Sequence, residues 1–561
     1  MQAICTTSGS MHPRDYPDWP RRYPRTLSIP ATTLGHNLRV AAQRYPDKSA
    51  LVFYDNHTTY VELVDQVAHL AAYLVSHCGV ASGDRVLLNL QTSPQFVASY
   101  YAILQAGAVA VPINPMSVTD ELSHCCQDSG ARCIILSDDV LERAEPLMGT
   151  ALEHAVVACY ADALTTSTTL AAPTGLTHRR AITAQPDIHP WRNALGGARL
   201  EESDSARCDD LALILYTSGT TGKPKGCMHT HRTAQTTAVG AALWEGMTSE
   251  SVILCTAPMF HVTGMQHSMN AGLYSGATMV MLPRWDPAVA GELIERHHCT
   301  HWANVPTMVV DLLAHPDTNG RDLSSLVNIF GGGASMPDAV AQELFERCGV
   351  RYMEAYGMTE SLSQTHMNPP NDLRKQCLGI PTFDTHSMVV DPETLKPLGV
   401  EEPGEILSSG PQLMKGYWNN PQATRETLID IDGRTWLRTG DLGRMDASGF
   451  FYIADRLKRM INAAGFKVWP AEVESTLYKH PAIKEVTVVS APDERRGETV
   501  KAYVVLKPDT TLNADALMAW SRAHMAAYKI PRQVQFIDAL PRSGSGKIQW
   551  RVLQEREWQG H

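Results

Sequence analysis

The stretch LYTSGTTGKPKGCMHTH, from Leu215 to His231, decides how the rest of this chain is read. It continues the apolar run Leu211–Tyr216 and gathers glycines, hydroxyls and lysines into one loop. Glycine lets the backbone approach an anion closely, hydroxyls donate hydrogen bonds, and lysine is a point charge. These are the ingredients of a phosphate cradle. A Walker P-loop is nevertheless excluded by spacing, because it needs four residues between its first glycine and a Gly-Lys-Ser/Thr triplet. Here only Thr220 and Thr221 separate Gly219 from Gly222, and Lys223 is followed by Pro224. The later run Ser543-Gly544-Ser545-Gly546-Lys547 fails as well, since Ile548 follows its lysine. A loop of this kind holds phosphates for a purpose other than γ-phosphoryl transfer. Its place after an apolar run predicts a strand-to-helix or hairpin loop with free backbone donors.

Working outward, Thr59-Tyr60-Val61-Glu62 fits a capping box, and Val64, Val67, Leu70, Ala71 and Leu74 recur behind it at helical spacing. Val86–Leu90 reads as a buried strand, and Ser93-Pro94 starts a helix with proline in its first turn. Helix and strand keep alternating, which predicts parallel βαβ construction with sites at the carboxyl ends of the strands. From about 160 to 208 the pattern dissolves into Thr, Ala, Pro and charged residues, as in a long surface excursion. Near the C-terminus a helix (Ala471–Tyr478), strands (Glu485–Ser490, Ala502–Leu506), a helix (Ala514–Ala526) and a strand (Val534–Ile537) form a compact α+β unit. Its boundary falls near Asp455-Arg456-Leu457-Lys458, after a Phe450–Ile453 strand. The expected division is an irregular arm over 1–34, a large α/β domain over 35–457 with several sheets in βαβ layers, and a small α+β domain over 458–561.

A chain of 561 residues has room for two or three domains. The net charge of −11 argues against a nucleic-acid binder, which would carry a basic face. Twelve scattered cysteines without a Cys-x-x-Cys pair, and no visible secretory signal, predict a reduced cytoplasmic protein with buried thiols. No apolar run reaches the roughly 18–20 residues of a membrane span, so membrane contact is confined to the periphery. His297, His298, Cys299 and His301 look like a metal cluster, but adjacent histidines point apart on a helix or a strand. They read as a helix end running into a strand at Trp302.

Four further stretches join the first in order: Glu354-Ala355-Tyr356-Gly357-Met358-Thr359-Glu360, Arg438-Thr439-Gly440-Asp441, Asp455-Arg456-Leu457-Lys458 and Pro541-Arg542-Ser543-Gly544-Ser545-Gly546-Lys547. Together they resemble the adenylate-forming superfamily of acyl-CoA synthetases, peptide-synthetase adenylation domains and beetle luciferases, over residues 35 to 555. The resemblance implies ATP, Mg²⁺ and coenzyme A as cofactors, a small-molecule carboxylic acid as substrate, and room for a homodimer. Attack of the acid on the α-phosphate yields an acyl-adenylate and pyrophosphate, so the loop holds a departing pyrophosphate, which accounts for the missing Walker geometry. By resemblance, Thr217, Ser218, Gly219, Thr220, Thr221 and Lys225 grip the phosphates, Glu360 holds Mg²⁺ with Thr220 nearby, and Thr359 touches the α-phosphate. Gly332, Gly333 and Ala334 form one wall of an adenine slot and Tyr356 the other, while Asp441 and Arg456 hold the ribose. Lys547 bridges the acid and the α-phosphate, stabilising charge in the first step. Rotation about a hinge at Lys458 withdraws it and presents Asn462-Ala463-Ala464-Gly465-Phe466, with Gly465 beside the incoming thiol.

Family position places the acyl pocket at Pro258–His261, Gly264, Met265, Trp302–Val305, Gly331 and Gly357. Amino-acid-activating relatives carry an aspartate where this chain has His261, which argues against an amino-acid substrate, and acetate-activating relatives carry a tryptophan where it has Gly357, which argues for an open tunnel. Methionines 259, 265, 269, 308 and 358 supply a flexible wall suited to irregular apolar ligands. The expected substrate is a medium- or long-chain fatty acid, with an aryl acid as the nearest competitor. An enzyme that loads a carrier protein is the alternative acceptor reading. The presence of Lys547, Glu360 and Asp441 weighs against a binding protein that has lost catalysis.

Overall fold

The computed structural model describes residues 16–178, 180, 182–201, 206–217, 224–333, 336–456, 459–463, 466–493, 497–543 and 548–559. The chain divides into a larger unit, Tyr16–His386 with Ser409–Leu437, and a smaller one containing Ser387–Ser408 and Arg438–His561.

Two sheets organise the larger unit. The first has seven strands in the order Ile188–Pro190, His154–Ala158, Cys133–Ser137, Arg85–Asn89, Val109–Pro112, Leu211–Thr217, Lys225–Thr230. All its pairings are parallel except the last. The opening stretch is therefore a hairpin, with Leu215 opposite Cys227 and Thr217 opposite Lys225 in antiparallel register. The second sheet has nine strands and is parallel from Tyr352–Met358 through Asn328–Gly331, His301–Asn304, Val252–Cys255 and Thr278–Met281 to Ser49–Phe53. Strands buried on both faces read as continuous apolar runs. Accordingly Val86, Leu87 and Leu88, and likewise Ile134, Ile135 and Leu136, are all fully buried.

Local signals held where they were strong. Thr59 and Glu62 form the reciprocal capping box that starts helix Tyr60–Ser76. Ser93 accepts the Phe96 N–H at the start of helix Pro94–Gln105. Helix Pro287–His297 ends on His298 in the left-handed conformation (φ 49°), and strand His301–Asn304 follows. The segment read as a featureless excursion differs. It contributes Ile188–Pro190 as an edge strand in register with Ala155–Val157, followed by the short helix Trp191–Ala194 with Trp191 buried. A three-residue strand ending in proline is too short to leave an alternating pattern.

The smaller unit holds the paired strands Ile483–Asp493 and Gly497–Leu506, joined by Ile461–Ala463 and Gln533–Phe536. Helices Pro470–Leu477 and Ala514–His524 contribute Val473, Leu477 and Leu517 to a core that includes Ile461, Val486 and Val504. Strand Arg434–Met445 passes from the larger to the smaller unit between Leu437 and Arg438. Among the described residues no helix is long and apolar enough to cross a membrane.

Candidate active site

In the larger unit, the predicted residues gather where parallel strands end. Strand Asn328–Gly331 runs out into Gly332 and Gly333, and strand Tyr352–Met358 runs into a short turn, Thr359–Ser361. A Cβ on Gly331 would stand 2.1 Å from the Asn304 carbonyl oxygen and 2.3 Å from the Tyr352 hydroxyl, and one on Gly332 2.3 Å from the Ala355 oxygen. Only glycine lets these backbones approach so closely. Tyr356 sits opposite His366 across the antiparallel pair, ring centroids 5.6 Å apart. Gly357 has a similar constraint: its Cβ would lie 1.7 Å from the Ser363 carbonyl oxygen. Glycine at 357 is thus required by strand pairing, and its lack of a side chain does not by itself report an open tunnel.

The turn after this strand carries Glu360, which is buried and forms part of a compact charged cluster. Tyr417 donates its hydroxyl to Glu360 Oε1 at 2.7 Å, and the Lys225 ammonium lies 4.8 Å from the centre of the Tyr417 ring. Sequence reasoning missed Tyr417. Residues 414–418 run alongside strand Lys225–Thr230: Met228 N–H donates to Gly416 O, Lys415 N–H to Met228 O, and Trp418 N–H to Gly226 O. Met414 N–H donates to Glu360 O at 2.8 Å, so one segment ties the hairpin to the Glu360 turn. Burial and the Glu360 carboxylate hold the Cys227 thiol well above its ordinary range, with Lys225 opposing. Burial also pushes the His229 pKa down to about 4, against the contact with Thr359. The neutral ring therefore donates from Nε2 to the Thr359 carbonyl, 2.8 Å away, fixing that turn from beneath. The structure thus brings Thr217, Lys225, Thr359 and Glu360 onto one network. Ser218, Gly219, Thr220, Thr221 and Ala334 lie outside the described residues.

The pocket residues are tightly packed. Met259, Met265 and Met269 are fully buried, the last two on the π-helical segment Gly264–Asn270. His261 accepts the Thr263 N–H at Nδ1 (3.4 Å), and Val305 stands just before helix Pro306–Ala314. Trp302 donates its indole N–H to Thr256 at 2.8 Å. A second unforeseen feature is a fully buried relay: Glu245 Oε1 lies 2.5 Å from His267 Nδ1, and His267 Nε2 2.8 Å from Ser363 Oγ. It braces the residue whose carbonyl abuts Gly357.

In the smaller unit, Glu405 anchors the Arg438–Asp441 run. Arg438 donates to Glu405 Oε2 from both Nε (3.1 Å) and Nη2 (2.6 Å), and Gly440 N–H donates to Oε1 at 3.1 Å. Gly440 supplies the positive φ (67°) of the turn. Asp441 is buried, its N–H donating to Thr439 Oγ1, which in turn donates to Ile406 O. Asp441 and Arg456 stand opposite each other in the strand register. Lys458, Gly465 and Lys547 lie outside the described residues.

Sequence comparison bears on this arrangement directly. The profile of the AMP-binding enzyme family matches residues 38–418, and that of the AMP-binding enzyme C-terminal domain matches residues 472–547. The chain belongs to the AMP-binding enzyme family. Within this adenylate-forming superfamily it falls in the acyl-CoA synthetase branch. It is 36% identical to a long-chain-fatty-acid–CoA ligase of Bacillus subtilis, over 97% of this chain and 98% of that one. It is 34% identical to a feruloyl-CoA synthase of an Amycolatopsis species, over 90% and 95%. The solved structure of ATP-bound MatB from Rhodopseudomonas palustris superposes with a TM-score of 0.83 at 27% identity, covering 94% of this chain and 99% of MatB. The structural neighbours are adenylate-forming enzymes, and this chain has mixed α/β sheets with a large N-terminal and a smaller C-terminal domain.

Proposed function

We propose that this AMP-forming acid–thiol ligase activates a medium- or long-chain fatty acid and transfers it to coenzyme A. A carboxylate oxygen attacks the α-phosphorus of ATP, and the bond to pyrophosphate breaks. The CoA sulfur then attacks the acyl carbon, AMP leaves, and the thiol proton passes to solvent. The observation that carries the reading is the buried Glu360 carboxylate, fixed by Tyr417 beside Lys225 at the base of the hydroxyl-rich hairpin.

In this reading Thr217, Ser218, Gly219, Thr220, Thr221 and Lys225 hold the departing phosphates, and Thr359 contacts the α-phosphate. Gly332, Gly333, Ala334 and Tyr356 enclose the adenine, and Asp441 with Arg456 holds the ribose. Lys547 bridges acid and α-phosphate, and Gly465 borders the thiol path after rotation at Lys458, between a 35–457 body, preceded by the 1–34 arm, and a 458–561 domain. The donor set suits Mg²⁺, a hard ion that takes one or two carboxylates plus substrate phosphates. Glu360, its Oε1 engaged by Tyr417, and Thr220 would hold the ion, which neutralises phosphate charge when bound.

The fatty-acid preference is supported by the buried Met259 and Met265, which stand beside His261 and Gly264 in the chain, by the half-buried Met308 after Val305, and by the likeness to the Bacillus ligase. An aryl acid is the second reading, favoured by the feruloyl-CoA synthase likeness. A panel of fatty and aryl acids, followed by pyrophosphate release with and without CoA, tests both. The expected result is acid-dependent pyrophosphate release that is greatest with medium- or long-chain fatty acids, because flexible, Met-lined apolar walls adapt to such chains. Preference for an aryl acid overturns the assignment, and release without CoA consumption points to a carrier acceptor.

A further inference from the structure

A second constellation of ligating side chains lies at the other end of the seven-stranded sheet. The hairpin of the active site leaves that sheet at Thr217, the carboxyl end of its strand, whereas His154 and Cys133 are the first residues of neighbouring parallel strands and pair in register. Beside them stand Cys78, just past helix Tyr60–Ser76, and His189 on the edge strand. One ligand atom from each of Cys78, His154 and His189 lies within 4.8 Å of the other two.

We propose that Cys78, His154 and His189 form a zinc site that clamps the edge of this sheet. His154 Nδ1 and His189 Nε2 face each other at 3.0 Å. Neighbouring nitrogens in a tetrahedral zinc site with Zn–N of about 2.0–2.1 Å stand about 3.3 Å apart, so the pair is close to ligating separation. The other nitrogen of His189, Nδ1, is held by the Tyr73 hydroxyl at 3.0 Å, the outer partner that orients a metal-bound imidazole. Cys133, in register with His154, hydrogen-bonds to Cys78 and so joins the sulfur to the strand that carries the neighbouring ligand. His154 is only half-buried, so the cluster is reachable from solvent, which would supply the fourth ligand as water. One thiolate and two imidazoles favour zinc over magnesium or calcium. Bound there, the ion would tie the helix end to the short Ile188–Pro190 strand.

The test titrates the full chain with Co²⁺ and then Zn²⁺. One equivalent of Co²⁺ with a thiolate-to-cobalt charge-transfer band, displaced by Zn²⁺, is expected. Zn²⁺ should raise the unfolding midpoint of the parent chain. Cys78→Ser should lose the band, and His154→Gln should weaken Co²⁺ binding at least about tenfold, since even outer partners are worth about 10–100-fold. In both variants Zn²⁺ should raise the midpoint less than it does in the parent chain. Independently of any variant, Zn²⁺ should slow alkylation of Cys78, followed by peptide mass. Absence of the band, its survival in Cys78→Ser, unchanged affinity in His154→Gln, or no protection of Cys78 would each overturn the assignment.

Discussion

Tyr417→Phe isolates the role of the Glu360 carboxylate. The substitution removes the hydroxyl that donates to Glu360 Oε1 at 2.7 Å and keeps the ring beneath the Lys225 ammonium. A hydrogen bond to a charged acceptor contributes about 1.5–3 kcal/mol, and losing it leaves a buried carboxylate short of a donor. If Glu360 binds the ion that accompanies ATP, Tyr417 is its outer partner, and such partners are worth about 10–100-fold in metal affinity. Acid-dependent pyrophosphate release, titrated with Mg²⁺ at saturating ATP and acid, should show the half-saturating Mg²⁺ raised by that factor. The rate at high Mg²⁺ should be largely recovered. A thermal scan should show the larger unit destabilised. Lost stability with an unchanged Mg²⁺ dependence would refute the reasoning, because Glu360 would then be a structural carboxylate only.

Three other outcomes are expected, the first from the family resemblance and the other two from the geometry. Lys547→Ala should cut adenylation by about 10²–10³ while sparing thioester formation from a preformed acyl-adenylate; equal loss of both half-reactions would contradict domain rotation. Gly357→Ala should lower the unfolding midpoint, since the new Cβ collides with the Ser363 backbone and overpacking typically costs about 1–3 kcal/mol; an unchanged midpoint would show the strand pairing is looser than described. Burial raises the Glu354 pKa to about 7, against the Gln376 and Met336 N–H donors. Because the native carboxyl keeps a proton the unfolded chain has released, its contribution falls as pH rises from the unfolded value toward 7, by up to about 3 kcal/mol. Glu354→Gln, which can still accept both N–H groups, should be more stable than the parent at pH 8 by up to that amount and indistinguishable near pH 4; equal stability at both pH values would place the carboxylate in a solvated setting.

Legibility in the sequence followed range. Thr59–Glu62, Ser93-Pro94 and the apolar runs at Val86 and Leu211 act within a few residues, and each produced the expected cap or strand. Tyr417 lies 57 residues from Glu360, in a segment whose own pattern announces no chemistry, and only its pairing with strand Lys225–Thr230 carries it to the carboxylate. The histidines at 297, 298 and 301 are neighbours in sequence but occupy a helix end, a left-handed cap and a strand. Cys78, His154 and His189 are far apart in sequence yet converge where parallel strands begin.

Five ordered motifs, by themselves, determined the family and with it the order of chemical steps, because residue types such as glycine, lysine and carboxylate are chosen by what a phosphate or ribose requires. Tertiary structure decided which side chains meet. It gave Glu360 its tyrosine, showed Gly357 to be a demand of strand pairing, and assembled the Cys78 cluster. Parallel strands joined by crossovers bring residues together through sheet order, and sheet order is set by burial of whole faces, a property no local stretch contains.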